Sequence, residues 1–194
     1  MSKSDSAASK RERSKAIRWV VTIFIVTIFI SGAISLLSDV IMENSSMVVA
    51  FLILLAIILI GILFDIIGMA VASADEKPFH SMAARKVAGA QEAIALLRNA
   101  ERVSSICNDV VGDICGVVSG SASATIAVQL ISNFDFSWPQ IVSLGMSALA
   151  AGLTVGGKAI GKSFAVNSST TIVHTVGKCI HWIHGFGGQK KKTK

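Results

Sequence analysis

The stretch 47-MVVAFLILLAIILIGILF-64 decides the fold class: eighteen consecutive residues with no charge and no proline. At 1.5 Å per residue a helix of that length covers about 27 Å, close to the thickness of a bilayer's hydrocarbon layer. Asp65 follows at once, and helix-compatible sequence continues to Ala74. Working outward, three more stretches read the same way. Residues 19–38 are uncharged up to Leu37, residues 110–131 are rich in Gly, Ser and Ala, and residues 141–160 carry Lys158 near their end. The expectation is an all-α, polytopic membrane protein with four transmembrane helices at about 19–38, 47–74, 110–131 and 141–160. Together they form a transmembrane domain over 19–183.

Composition agrees with a non-aqueous solvent. The chain has 194 residues, of which 52% are hydrophobic and 15% charged, against about a quarter charged in a soluble domain. Six basic residues precede Trp19, as in a signal peptide. The apolar run after them lacks a small-residue cleavage site, so it reads as a retained anchor. Residues 1–18 are expected to be a disordered basic tail, and 184–194 a basic C-terminal tail. The net charge of +6 does not point to nucleic acid, because the basic residues sit where a membrane protein places them. All 18 Lys and Arg fall in the N-terminal tail, in 75–109 or from Lys158 onward. The turns near 39–46 and 132–140 hold only acids. The positive-inside rule then puts both termini and the 75–109 segment in the cytoplasm. The three cysteines, Cys107, Cys115 and Cys179, make no disulfide framework.

Between the second and third spans, Met82, Val87, Ala90, Ile94 and Leu97 recur at helical spacing. Arg85, Lys86, Gln91, Glu92 and Arg98 take the other positions. This predicts a cytoplasmic amphipathic helical hairpin over 78–105, interrupted at Gly89 and ending a helix at Asn99. A second amphipathic segment, 170–182, is expected along the inner membrane surface.

Several constellations carry competing readings. Gly156 to Ser163 reads GGKAIGKS, which fits the phosphate-loop pattern, but that pattern works between a strand and a helix. Here it trails a membrane span, so no nucleotide is expected. Gly112, Gly116, Gly120 and Ala124 stand at four-residue intervals, a spacing that lets helices approach closely. Tight internal packing is one reading and self-association into a homodimer is the other. Cys179, His181 and His184, with His174 seven residues before His181, share a helical face, yet the spacing misses the usual zinc patterns. The bland reading is a face at the lipid headgroups. No nucleophile–base pair stands out, so no enzyme is expected.

Charges in or near the spans point further. Asp65, Asp109, Asp113 and Lys158 all lie toward the cytoplasmic side. A charge at mid-bilayer costs on the order of 3 kcal/mol even on lenient scales, so it faces a partner, a cavity or an ion. Asp is too short to reach far toward water. Asp65 therefore either pairs with Lys158 or shares a cation with Asp113, Asn108 or nearby serines.

The run Leu63-Phe64-Asp65-Ile66-Ile67-Gly68-Met69-Ala70 is followed by Ala93-Ile94-Ala95-Leu96-Leu97-Arg98-Asn99-Ala100-Glu101-Arg102. Later comes Gly156-Gly157-Lys158-Ala159-Ile160-Gly161-Lys162-Ser163-Phe164-Ala165. In order and in part in residues, these resemble motifs of the transmembrane domain of the CNNM/CorB/CorC family of magnesium transport proteins. The family motifs are F-F-S-A-S-E-T-A, A-L-x-L-L-x-N-P-E-R and F-G-E-x-x-P-K-S-x-A. The likeness covers roughly 60–183. It implies divalent-cation transport or homeostasis, a dimer, and a dehydrated Mg²⁺ held by Ser, Asn and Glu side chains of the spans. The metal positions it suggests here are Asp65, Asn108, Asp109 and Asp113. The departures fall where function would sit: Asp65 replaces a Ser, Gly68 replaces a Glu, and Lys158 replaces the Glu of F-G-E. The family's regulatory domain pair does not follow, and a span is added in front. An ammonium beside a Mg²⁺ position repels the ion, so the alternative expectation is a non-transporting structural or partner-binding protein with an Asp65–Lys158 pair. Beyond the lipid bilayer and a second copy of the chain, no cofactor is expected unless Mg²⁺ itself is bound.

Overall fold

A computed structural model describes residues 3–43, 45–134 and 138–188. Its elements are all helical: α1 (Lys3–Glu43), α2 (Met47–Ser73), α3 (Lys77–Ala84), α4 (Ala90–Arg98), α5 (Ala100–Ser105), a π-helical segment (Ile106–Gly112), α6 (Asp113–Asn133), α7 (Pro139–Asn167) and α8 (Ser169–Gly188). No strand occurs among the described residues. Among the described residues, four helical stretches are long and apolar enough to cross a membrane: Ile17–Met42, Met47–Ser73, Ala100–Asn133 and Pro139–Asn167.

The stops are written locally. Helix α2 ends where Ala74 turns extended, and the Asp75 carboxylate accepts the Lys77 N–H at 3.2 Å, a side-chain turn that opens α3. Pro139 occupies the first turn of α7, where its missing N–H costs nothing. Asn99 ends α4, its side-chain amide donating to the Ala95 carbonyl at 3.0 Å. The turn between α3 and α4 needs left-handed backbone at Lys86 (φ 55°) and Gly89 (φ 82°). Only at Gly89 does the sequence supply the residue that adopts it freely.

Three boundaries differ from expectation. Helix α1 starts at Lys3, because the Ala, Lys, Arg and Glu of the N-terminal segment are good helix formers extending an existing helix. Residues 100–105, expected to close the amphipathic hairpin, run on through the π-helical segment into the third long helix. Helix α7 continues to Asn167, so Lys158 lies nine residues inside its end. The acidic turn at 135–137 and the tail from 189 lie outside the described residues.

The long helices pack as a bundle, α2 against α6 and α7, α6 against α7, and α1 against α6. One end of the bundle carries the two interhelix turns; the other carries α3, α4 and α8 and is called the hairpin end here. Met42, Leu54, Ile58, Ala122 and Ile126 fill the core toward the turn end. Val110, Ile114 and Val118 pack at mid-height with Ile23 and Ile57. Val71, Phe79, Ala93, Ala165 and Val173 join α2, α3, α4, α7 and α8 at the hairpin end. The amphipathic pattern of α3 and α4 is thus used, with Phe79 and Ala93 buried while Val87 is exposed. Gln129 adds a polar tie, donating to the Met42 carbonyl at 3.0 Å and pinning α6 to the end of α1.

Helix α8 is packed onto α4 and α2, and not simply laid on a surface. It crosses α4 where Gly177 meets Gly89: a Cβ on either would run into the other's backbone. Its outer face leaves Trp182 and Ile183 exposed.

Candidate functional site

Asp65 sits on the face of α2 that packs against the π-helical segment, between Gly61 and Gly68. A Cβ on Gly61 would stand 2.8 Å from the Cβ of Cys115, and one on Gly68 would collide with the Asn108 side-chain oxygen. Gly112 is the matching notch on the other helix, where a Cβ would lie 3.3 Å from Lys158 Nζ and 3.7 Å from Asp65 Oδ1. Glycines on both sides therefore bring two backbones together and leave one narrow space. π-Helical turns inside α-helices are frequent at functional sites.

Lys158 reaches into that space from α7. Its Nζ lies 3.8 Å from Asp65 Oδ1 and 3.7 Å from Asp113 Oδ1, and it donates a hydrogen bond to the Gly112 carbonyl at 3.2 Å. The two carboxylates differ sharply: the Asp65 side chain is 6% exposed, that of Asp113 73%. The ammonium thus bridges a buried charge and a solvated one. Two buried acceptors on the α2–π-helix seam have no hydrogen-bond partner among the described residues, Asp65 Oδ2 and Asn108 Oδ1. The Asn108 amide donates to Ser104 Oγ at 3.3 Å.

Of the four residues expected as metal ligands, the structure brings Asp65 and Asp113 to one cation, Lys158. Asn108 is placed beside Gly68 on the same seam. Asp109 turns to another side, where its Oδ2 accepts the Ser105 hydroxyl at 2.8 Å and it lines a crevice beneath α1. Among the described residues no three His, Cys, Asp or Glu side chains come together to hold a metal ion.

The phosphate-loop-like residues 156–163 are helical throughout, within α7. Gly157 and Gly161 face α2, where Ile62 and Ile66 fill the space their Cβ atoms would take, while nothing lies within 4 Å of a Cβ on Gly156. The motif is a docking track for α2. The four-residue spacing of Gly157 and Gly161 is the signal in the sequence for this packing. The small-residue stripe divides as well: Gly112, at the end of the π-helical segment, packs inside, whereas Gly116 and Gly120 on α6 face open space.

The histidine face is split by packing. His181 Nδ1 lies 2.7 Å from Glu92 Oε1 of α4, and that hydrogen bond, outweighing desolvation, holds the Glu92 carboxyl below its ordinary 4.5. His174 Nε2 is buried with no partner among the described residues. Glu76 receives Arg98 Nε at 3.2 Å and His80 Nε2 at 3.1 Å, tying the start of α3 to the end of α4.

Comparison with family models, with curated proteins and with solved structures gives no match to this chain.

Proposed function

We propose that this chain is a multi-pass plasma-membrane protein, both termini cytoplasmic, in which the Lys158 ammonium stands where a divalent cation would otherwise sit. On this reading it is a non-transporting relative of CNNM/CorB-type transmembrane domains, with a structural or partner-binding role. The observation that carries it is the position of Lys158 Nζ, 3.8 Å from Asp65 and hydrogen-bonded to the Gly112 carbonyl. Mg²⁺ demands an octahedron of hard oxygens and gives up its water reluctantly. A fixed monovalent cation at that place neutralises the buried carboxylate and repels a divalent ion. The placement of every Lys and Arg away from the two acidic turns supports the orientation.

A second reading has its own support. Asp65 Oδ2 and Asn108 Oδ1 are buried acceptors without donors, and such atoms suit a small cation once Lys158 swings toward Asp113. Mg²⁺ uptake into proteoliposomes, followed with an internal Mg²⁺-sensitive dye, separates the two. The locked-site reading expects the wild-type protein and Asp65→Ala to match protein-free vesicles. Uptake that Asp65→Ala abolishes would establish transport and overturn it.

A further inference from the structure

Two cavities meet at the hairpin end of the bundle, and both are lined by Ser105 and Asp109. The larger, about 660 Å³, is a crevice between α1 and the π-helical segment, walled on the α1 side mainly by apolar residues such as Trp19, Phe24 and Ile28. The smaller, about 500 Å³, lies against α5 and the end of α2, and adds Glu101 and Ser104. The pair forms an apolar shaft with an acidic, hydroxyl-lined mouth. Both are open along much of their surface, so a lipid can enter them from the side.

Charge is distributed along the mouth with two signs. Glu101 and Asp109 present carboxylates, Asp109 held in place by the 2.8 Å bond from Ser105. Arg102, next in sequence to Glu101, lies over the Trp19 ring at 5.6 Å, at the rim where Trp19 enters the crevice.

We infer that this double cavity holds a phospholipid with a primary ammonium headgroup, of the phosphatidylethanolamine kind, from the leaflet at the hairpin end. One acyl chain runs along α1 in the shaft. The phosphate meets Arg102 at the rim, and the ammonium donates to Asp109, Glu101 and the serine hydroxyls. Phosphatidylglycerol offers the phosphate and neutral hydroxyls but no cation for the carboxylates. A quaternary ammonium offers the charge without N–H groups. The inference rests on membrane insertion of α1, and is independent of whether Lys158 blocks an ion.

Trp19 supplies the test, because it lines the shaft. In a Trp138→Phe, Trp182→Phe background it is the sole tryptophan. The protein is reconstituted into phosphatidylcholine vesicles doped with phosphatidylethanolamine or phosphatidylglycerol brominated near the headgroup. The ethanolamine lipid is expected to quench Trp19 about threefold more efficiently, the scale of one half-exposed charge contact. Glu101→Gln, at an exposed position, and Asp109→Asn are each expected to bring the two lipids level. Equal quenching in the parent, stronger quenching by phosphatidylglycerol, or a preference that survives both substitutions would overturn the site. Absence of quenching by either lipid would overturn both the site and the insertion of α1.

Discussion

Lys158 answers to three oxygens on two helices, and their strengths differ. The hydrogen bond to the Gly112 carbonyl is direct, while the carboxylate distances near 3.8 Å are those of charge attraction without a good hydrogen bond. At that separation two unit charges attract by about 4 kcal/mol at an effective dielectric of 20. Burying the carboxylate and the ammonium costs several kcal/mol per ion. The pair is therefore near balance, and its consequence is that Asp65 is committed to a partner. The tightness of the seam is a residue-scale matter too. Gly68→Ala places a methyl against Asn108 and Cys107, and overpacking of this kind is expected to lower stability by about 1–3 kcal/mol, read as the thermal midpoint in detergent. The Glu92–His181 contact predicts a pH response. Because the Glu92 carboxyl is depressed in the folded chain, its contribution is complete above pH 4.5 and is lost as pH falls through the lower folded value. Amide exchange along 172–184, corrected for its intrinsic pH dependence, should accelerate below that range, and Glu92→Gln should remove the dependence.

Element by element, glycine spacing sets how close the helices come. Gly157 and Gly161 receive Ile62 and Ile66 one turn apart, and this register places Lys158 level with Asp65. A reading of 156–163 as a phosphate loop makes Gly156 the essential first glycine. The packing makes the opposite prediction. Gly161→Ala should cost about 1–3 kcal/mol through the clash with Ile66, whereas Gly156→Ala, with open space around it, should stay within about 0.5 kcal/mol. Denaturation of the two variants side by side checks this. Much of this scale was legible in advance: four apolar runs, the helix end at Asn99 and the interruption at Gly89 all follow from residue type. What was not legible depends on which face meets which neighbour. Periodicity exposes a stripe such as Gly112–Gly116–Gly120, but not that Gly112 alone is covered. Nor does it reveal that α8 docks through Gly177. The pairing of Asp65 with Lys158 was open as one of two options, since a sequence ranks partners by charge and depth but not by rotamer. Nor does spacing alone show that Asp109 accepts the Ser105 hydroxyl and lines the crevice beneath α1.

For the molecule as a whole, the acidic turn end and the basic hairpin end give the proposed orientation a direct check. In a cysteine-free background, Asn133→Cys should react with a membrane-impermeant maleimide added outside intact cells. Lys86→Cys should react only after permeabilisation. The reverse pattern would invert the bundle and remove the cytoplasmic placement of α3, α4 and α8. Neither result touches the bundle's internal packing, which fixes Asp65 and Lys158 whichever way the molecule faces.

The measurement that bears most directly on the central claim is a double-mutant cycle on that pair, using Asp65→Asn, Lys158→Met and the double variant in thermal or denaturant unfolding. Lys158→Met leaves the buried Asp65 without its partner, at a cost of about 3 kcal/mol, whereas Asp65→Asn leaves Lys158 to Asp113 and the Gly112 carbonyl and costs less. Direct contact predicts that the double variant recovers part of the loss, with a coupling of about 0.5–3 kcal/mol. Losses that simply add, to within about 0.5 kcal/mol, would mean that Lys158 and Asp65 do not serve one another, and the account of a site filled by its own lysine would fall.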